Sequence, residues 1–346
     1  MKKTRMKASP RKTKRGSETQ LEETLKLHLF GLTMTPYALF IALGVLLGLI
    51  VFLIGGYKNR LSALSLCATA ALALPLGLLG ARAFYMLARW GLFAEVGFHQ
   101  FFRADLPEDA EAWGGVRGGA LWGAIGGGAL AALIAGRLTR AKVSRLLDVL
   151  SPAAALAIAL SRFGEFSIGE GIGPDVTVEG LCFFPMAVVN EWEEWRYAVF
   201  LLEGIVALII FMVLVRPPRE GWRDGDRARL FLILYSSCQI VLEALRRDNF
   251  LRWLFVRVSQ VTAAVVLLGL FVAAVLRWKK RPASERMPKA RLTLLAAIFV
   301  LLVAITVLLE FAADKSAALP LWAVYGMETL CAVGFGGITY QAVMKN

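Results

Sequence analysis

The stretch PYALFIALGVLLGLIVFLIGG, residues 36–56, contains no charged side chain, and it decides the fold class. About 20 apolar residues in a helix cross the ~30 Å hydrocarbon core of a bilayer. Because lipid offers no hydrogen bonds to the backbone, such a segment must satisfy its own N–H and C=O groups, as a helix does. The stretch therefore predicts a membrane-spanning helix.

Further apolar segments recur along the chain and, with the first, predict an all-α integral membrane protein of about nine transmembrane helices. The chain is 58% hydrophobic, which is well above the usual share for a soluble domain. The predicted spans are 36–56, 62–88, 114–136, 146–164, 197–215, 229–245, 255–276, 291–312 and 319–343.

The basic residues predict how these helices are oriented. The net charge is +13, and most Lys and Arg lie in a polar tail and in short loops. This distribution is typical of cytoplasmic loops, so it indicates membrane contact and excludes nucleic acid as a partner. If loop 137–145 is cytoplasmic, the cytoplasmic side holds more than twice as many loop Lys and Arg as the outer side, and the C-terminus is cytoplasmic. This orientation places the basic tail outside, which conflicts with the preference of Lys and Arg for the cytoplasmic side.

Three regions follow from these patterns. Residues 1–29 form a basic N-terminal tail, in which Leu21, Leu25 and Leu29 have the spacing of a short interfacial helix. Residues 30–277 form a seven-helix core, and residues 278–346 add two C-terminal helices. These two helices carry no motif, so we expect truncation after Lys289 to leave a folded core.

Glycines spaced four residues apart predict a close helix–helix contact in the third span. The row comprises Gly115, Gly119, Gly123 and Gly127. Small residues at this spacing let a neighbouring helix approach backbone to backbone in a membrane.

Ionisable and polar residues within or beside the spans are candidates for function, because they are costly in lipid. They are Arg82, Arg117, Asp148, Arg162, Glu165, Glu170, Glu203, Glu243, Arg246 and Gln260. Several fall near the outer ends of five predicted helices. Planar guanidinium groups match phosphate oxygens, so a shared cavity that binds an anionic lipid headgroup is one interpretation. The other is that these side chains snorkel to the interface or form ion pairs that close helix ends, as Arg162–Glu165 and Glu243–Arg246 could at i,i+3.

Several segments resemble the motifs of the prolipoprotein diacylglyceryl transferase family. The stretch SRFGEFSIGEGIG, residues 161–173, is similar to the family signature G-R-x-G-N-F-x-N-G-E-x-x-G. GARAFY (80–85), GGVRGGALWG (114–123) and QIVLEALRRDN (239–249) resemble further family segments in the same order. Pro36-Tyr37-Ala38, Asp148 with Pro152, and Ser259-Gln260 add to the likeness.

The resemblance implies an activity and a site. Members move a diacylglyceryl group from phosphatidylglycerol to the lipobox cysteine of a prolipoprotein signal peptide, at the outer face of the bacterial plasma membrane, without cofactor or metal. The implied catalytic residues are Arg162, Glu170 and Arg246, and Glu165 and Arg117, which occupy motif positions with other side chains, are further candidates. The implied substrate-binding residues are Tyr37, Arg82, Tyr85, Gly118, Gly119, Asp148, Gly164, Gly169, Glu243 and Gln260. The partners are phosphatidylglycerol, or a related anionic phospholipid, and the signal peptide. The four cysteines have no close spacing, so the sequence suggests neither a zinc site nor a disulfide framework.

The chain also departs from the family pattern. Arg117 replaces a histidine, Glu165 replaces the first asparagine of the signature, and Ile168 replaces the second. Because buried charges are tolerated as pairs, we expect Arg117 and Glu165 to form a salt bridge. Two other functions stay open: a catalytically inactive relative that binds anionic lipid or a partner protein, and a small-solute transporter.

Overall fold

The computed structural model is all-helical, with short hairpins between helices. It describes residues 27–29, 32–91, 120–190, 193–217, 221–247, 251–253, 256–282, 286–315 and 321–344. Within this part of the chain there are nine α-helices, of which seven are long and apolar enough to cross a bilayer. The chain is therefore a multi-pass membrane protein.

The helices correspond one by one to the predicted spans. They are α1 (Pro36–Lys58), α2 (Ala63–Ala88), α3 (Leu121–Thr139), α4 (Val143–Gly164), α5 (Val199–Leu214), α6 (Asp226–Leu245), α7 (Val258–Lys280), α8 (Lys289–Lys315) and α9 (Leu321–Met344). α5 has only 16 residues, and α9 is not among the seven candidate spans, so the count of nine spans stays a prediction.

The helix α4 lies at the centre of the bundle and packs against α1, α3, α5 and α6. Its long contact with α1 depends on glycine, since a Cβ added to Gly44 or Gly48 would lie 3.0 Å from a carbonyl oxygen of α4. α6 in turn packs against α7 and α9. The hydrophobic core therefore runs through α4, α5, α6 and α7 to the two C-terminal helices.

The predicted close contact of the third span is formed between α2 and α3. A Cβ on Gly123 would lie 2.2 Å from the carbonyl oxygen of Gly80, and one on Gly127 would lie 2.0 Å from that of Leu76. Only glycine fits at either position, as backbone-to-backbone packing requires. Gly115 and Gly119 lie outside the described residues.

Three two-stranded hairpins precede or connect the helices. They pair β1 (Leu27–Leu29) with β2 (Leu32–Met34), β3 (Ala187–Val189) with β4 (Trp195–Tyr197), and β5 (Arg252–Trp253) with β6 (Val256–Arg257). The prediction that the interfacial helix extends to Leu29 is wrong, because Leu27–Leu29 forms strand β1. Leucine alternates with a polar residue in Leu27–Leu29, and Leu32–Met34 does likewise, which is the two-residue period of a strand.

The two C-terminal helices pack into the bundle. α9 lies against α6 and α7, and its side chains Val324, Phe335 and Ala342 are buried. The Cβ of an alanine at Gly336 would lie 2.9 Å from the Ser237 hydroxyl of α6. The division into core and appendage stays a prediction, but these contacts join α9 to the helices that carry the site.

Candidate functional site

Two arginines and two glutamates from three helical segments meet at one end of the bundle. Arg162 lies near the C-terminal end of α4, Glu165 follows in a short 3-10 helix (Glu165–Ile168), Glu203 lies in the first turns of α5, and Arg246 directly follows α6. All four side chains are buried. We call them the central charge cluster.

Each arginine of the central charge cluster contacts both carboxylates. Arg162 pairs with Glu165, and its Nε lies 2.8 Å from Oε2 of Glu203. A terminal nitrogen of Arg246 lies 3.2 Å from Oε2 of Glu203 and 3.3 Å from Oε2 of Glu165. Two positive charges therefore balance two negative charges, which is the arrangement in which buried ions are tolerated.

The predicted pairing of Arg162 with Glu165 is confirmed, and Glu203 is the member that the resemblance did not assign to the site. Its signal was present in the sequence as a carboxylate in the apolar run VFLLEGIVALIIF, residues 199–211. Its partners could not be predicted, because Arg246 lies 43 positions further along the chain.

Glycines of the signature shape the segment that carries Glu165. Gly164 packs closely against α1, since a Cβ on Gly164 would lie 2.8 Å from the Cβ of Phe40. Gly169 ends the 3-10 helix with a φ of +66°, and Gly171 follows with a φ of +70°, a region that favours glycine. A Cβ on Gly171 would lie 2.6 Å from Oε2 of Glu165. Gly164 and Gly169, predicted to bind substrate, thus have clear conformational roles.

Three tyrosines lie at or near the central charge cluster. Tyr37 of α1 lies near enough to Arg162, Glu165, Arg246 and Glu170 to interact electrostatically with them. Tyr85 of α2 is buried and lies near Glu170. The guanidinium carbon of Arg82 lies 5.9 Å from the centroid of the Tyr85 ring. Tyr235 of α6 is buried beside Arg162 and Glu203. The structure therefore brings the predicted Tyr37 to the cluster and links it to Tyr85 through Glu170.

Two further predicted residues lie in a neighbouring polar network between α6 and α7. Glu243 accepts a hydrogen bond from Gln239 at 2.8 Å, and a terminal nitrogen of Arg257 lies 3.5 Å from its other oxygen. Gln260 donates to the carbonyl oxygen of Ile240 at 3.0 Å and accepts from the backbone N–H of Arg257 at 3.2 Å. Glu243 thus contacts Gln239 and Arg257, and Arg246 contacts Glu165 and Glu203. The i,i+3 pairing of Glu243 with Arg246 stays a prediction.

The structure places Asp148 far from this site, at the opposite end of α4. Fourteen residues of helix separate it from Arg162, which is about 21 Å at 1.5 Å per residue. Its carboxylate accepts hydrogen bonds from the backbone N–H groups of Gly225 at 2.6 Å and Ala228 at 2.9 Å. Both oxygens thus hold the N-terminus of α6, and the role of Asp148 in substrate binding stays a prediction.

Charged loop residues near each end of the bundle form exposed pairs. At the Asp148 end, hydrogen bonds from Lys142 and Arg145 hold the pKa of Asp224 below its ordinary value. At the end of the bundle that contains the central charge cluster, hydrogen bonds from Arg196 and Asn190 lower the pKa of Glu194. These exposed pairs order loops and contribute little to stability.

The predicted residues Arg117, Gly118 and Gly119 lie outside the described residues, and so does the expected Arg117–Glu165 salt bridge. Glu165 already contacts Arg162 and Arg246.

Comparison with known proteins assigns the family. Residues 25–277 match the sequence model of the prolipoprotein diacylglyceryl transferases, a region that contains the whole central charge cluster. The chain belongs to this family. The match ends within α7, so α8 and α9 lie beyond it.

Individual relatives agree with the family match. The chain is 26% identical over 255 residues to the phosphatidylglycerol–prolipoprotein diacylglyceryl transferase of Finegoldia magna, covering 73% of this chain and 94% of that protein. It is 26% identical over 259 residues to the same enzyme of Listeria innocua, covering 73% and 89%. It is 28% identical over 250 residues to that of Shouchella clausii, covering 71% and 85%. The family resemblance inferred from the motifs is thus confirmed, and with it the assignment to the transferases of lipoprotein biosynthesis.

Proposed function

We propose that this protein transfers the diacylglyceryl group of phosphatidylglycerol to a cysteine of a prolipoprotein. The observation that carries the proposal is the convergence of Arg162 and Arg246 on the same two carboxylates, inside the region that matches the family. The names of the relatives supply the donor lipid and the acceptor. The charge pattern of the loops favours an outer-face site.

The two guanidinium groups suit an anionic phosphodiester. Arginine stays charged in a low-dielectric site, and its planar fork can bind two phosphate oxygens. Glu165 and Glu203 hold both arginines in place and balance their charge. A lipid phosphate would share the N–H donors of both arginines with these carboxylates, which fix the two guanidinium groups in position for it.

The reaction exchanges one carbon–oxygen bond for one carbon–sulfur bond. The cysteine sulfur attacks the diacylglycerol carbon that carries the phosphate ester, the carbon–oxygen bond breaks, and glycerol-1-phosphate leaves with the electron pair. Negative charge accumulates on the departing phosphate, where Arg162 and Arg246 would stabilise it. The thiol proton must pass to a base.

Glu170 is the carboxylate placed to take that proton. Each oxygen of Glu165 already contacts an arginine, so we assign Glu165 to holding the arginines. Glu170 is only half-buried and lies by Tyr37 and Tyr85, on the side of the central charge cluster that faces α1 and α2. Glu165 then orients the arginines, and Glu170 accepts the proton.

The test is a reconstituted reaction with two products measured together. Purified protein is incubated with a lipobox peptide and vesicles that contain phosphatidylglycerol, and mass spectrometry follows the diacylglyceryl peptide and glycerol phosphate. We expect one glycerol phosphate per modified peptide, and no product with vesicles of phosphatidylethanolamine alone.

Variants of α4 provide the control. Arg162→Ala should lower the rate by about 100-fold or more, the usual effect of losing one transition-state donor. Arg145→Ala, on the same helix but at its opposite end, should retain the wild-type rate. Arg162→Lys keeps the buried positive charge but not the planar fork. A low transfer rate in this variant, if it is folded, would show that misfolding alone does not explain the loss of rate in Arg162→Ala. Folded wild-type protein that binds phosphatidylglycerol yet yields no adduct would instead indicate a lipid-binding relative without transferase activity.

A further inference from the structure

The helices α8 and α9 lie beyond the family match, yet they contribute polar side chains to the α6–α7 network. Gln260 of α7 donates a hydrogen bond to the carboxylate of Glu310 in α8. Arg247, next to Arg246 of the central charge cluster, donates to the hydroxyl of Tyr325 in α9. The additional helices are therefore connected to the site by direct contacts.

A second carboxylate, Glu328 of α9, faces Glu310. Glu328 is only 1% exposed, and neither of its oxygens has a hydrogen-bond donor among the described residues. Its carboxyl group lies within hydrogen-bonding reach of the Glu310 carboxyl group. Two ionised carboxylates only accept hydrogen bonds, so this contact requires a proton between them.

Among the described residues, two guanidinium groups act on the pair. Arg247 lies near both carboxyl groups, and Arg257 lies near that of Glu310. Arg162 and Arg246 pair with Glu165 and Glu203 instead, and Arg257 also contacts Glu243. Neutral groups face the pair as well: Gln260, the Tyr325 hydroxyl and the Cys331 thiol.

We propose that Glu310 and Glu328 form a proton-binding site in which Glu328 keeps its proton and donates it to Glu310. Glu310 is then the ionised partner, because it also accepts from Gln260 and lies near Arg247 and Arg257. Like charges at hydrogen-bonding distance in a low-dielectric interior cannot both ionise, so they retain one proton between them. This site is independent of the proposed transfer reaction.

The bound proton links α8 and α9 to the core. Glu310 holds the amide of Gln260, which bridges to the backbone of α6 at Ile240. Loss of the proton would place two negative charges against each other on α8 and α9, and repulsion would loosen this connection. Folding therefore takes up a proton at this site, and stability must fall as pH rises through its titration.

The thermal stability of the full-length protein in detergent, measured from mildly acidic to mildly alkaline pH, tests the proposal, because the unfolded carboxyl groups lose their protons at acidic pH while the folded pair keeps one. Glu328→Gln replaces the protonated carboxyl by an amide that always donates, so the variant should lose most of the decline in Tm with rising pH that this site gives wild-type protein. Glu179→Gln, which neutralises an exposed glutamate, should decline as wild type does. Coinciding slopes for wild type and Glu328→Gln would overturn the proposal.

Three further experiments cover the remaining outcomes. An infrared carboxylic-acid C=O band at neutral pH should be present in wild-type protein and lost in Glu328→Gln; its absence from wild type would overturn the proposal. If Glu328→Gln does not fold, Glu310→Gln should flatten the decline in Tm with rising pH, because its amide can donate to an ionised Glu328. Replacing sodium by choline at constant ionic strength should leave Tm unchanged, and a sodium-dependent Tm abolished in Glu328→Gln would assign the site to a metal cation.

Discussion

Single residues determine whether the central charge cluster can be buried. Removing one partner from a buried ion pair leaves an uncompensated charge and commonly costs about 3–5 kcal/mol. The equal numbers of arginine and glutamate in the central charge cluster avoid this cost, and each arginine has two partners. The glycines beside Glu165 fix where these charges lie.

Gly171 and Gly169 offer a matched pair of substitutions. Both have positive φ, so alanine should cost about 1 kcal/mol at either position. At Gly171 the new Cβ would also overlap Glu165 and Phe200, adding ~1–3 kcal/mol, whereas at Gly169 no atom lies within 4 Å. We expect Gly171→Ala to lower Tm more and to reduce transfer by displacing Glu165. Equal Tm losses would mean that the contact with Glu165 is unimportant.

At the scale of elements, the two ends of α4 have different tasks. The C-terminal end carries Arg162 and the turn to Glu165, while the N-terminal part carries Asp148, which holds the first backbone N–H groups of α6. An acidic side chain at a helix N-terminus satisfies otherwise unpaired donors and favours the helix dipole. Under the proposed function, the catalytic end and the structural end of α4 are thus separate.

Substitution of Asp148 tests this separation. Asp148→Ala removes two hydrogen bonds to α6 and should cost about 1–2 kcal/mol of stability, seen as a lower Tm. The transfer rate per folded molecule should stay at the wild-type value. Asp224→Ala, which removes only exposed ion pairs, is the control and should cost less than about 1 kcal/mol. A raised KM for phosphatidylglycerol in Asp148→Ala at normal Tm would assign Asp148 to the binding site.

The sequence was sufficient for the helices, because runs of apolar residues report directly on burial in lipid. It was sufficient for Arg162 with Glu165, since they lie one helical turn apart. Contacts between distant segments had no such signal, so Glu203 appeared only as an isolated carboxylate, and the pairing of Glu310 with Glu328 was not predicted. The contacts of Asp148 with Gly225 and Ala228 had no signal in the sequence either, because they join segments 77 and 80 positions apart.

At the scale of the whole molecule, alternating helices bring the central charge cluster, Gln260, Glu310 and Glu328 to one end of the bundle. Asp148 and the exposed pairs of Asp224 with Lys142 and Arg145 lie at the other end. The excess of Lys and Arg in loops at the Asp224 end predicts that this end is cytoplasmic. The site would then face the outer side, where exported prolipoproteins are exposed.

Cysteine labelling in intact cells checks this orientation. In a variant without native cysteines, Glu179→Cys marks the segment beside the site, and Arg223→Cys marks the loop before α6; both positions are exposed. A membrane-impermeant maleimide should label Glu179→Cys in intact cells and Arg223→Cys only after permeabilisation. The reverse pattern would place the site on the cytoplasmic side.

The central claim is that Arg162 and Arg246 act together on one lipid phosphate. The most direct measurement is the initial rate of diacylglyceryl-peptide formation by wild type, Arg162→Lys, Arg246→Lys and the double variant, each verified as folded by its Tm. Because both side chains would serve one transition state, we predict that each single change lowers the rate strongly and that the double variant is scarcely slower than the worse single one. A wild-type rate in either single variant, or a double variant whose loss is the product of the two single losses, would contradict the claim.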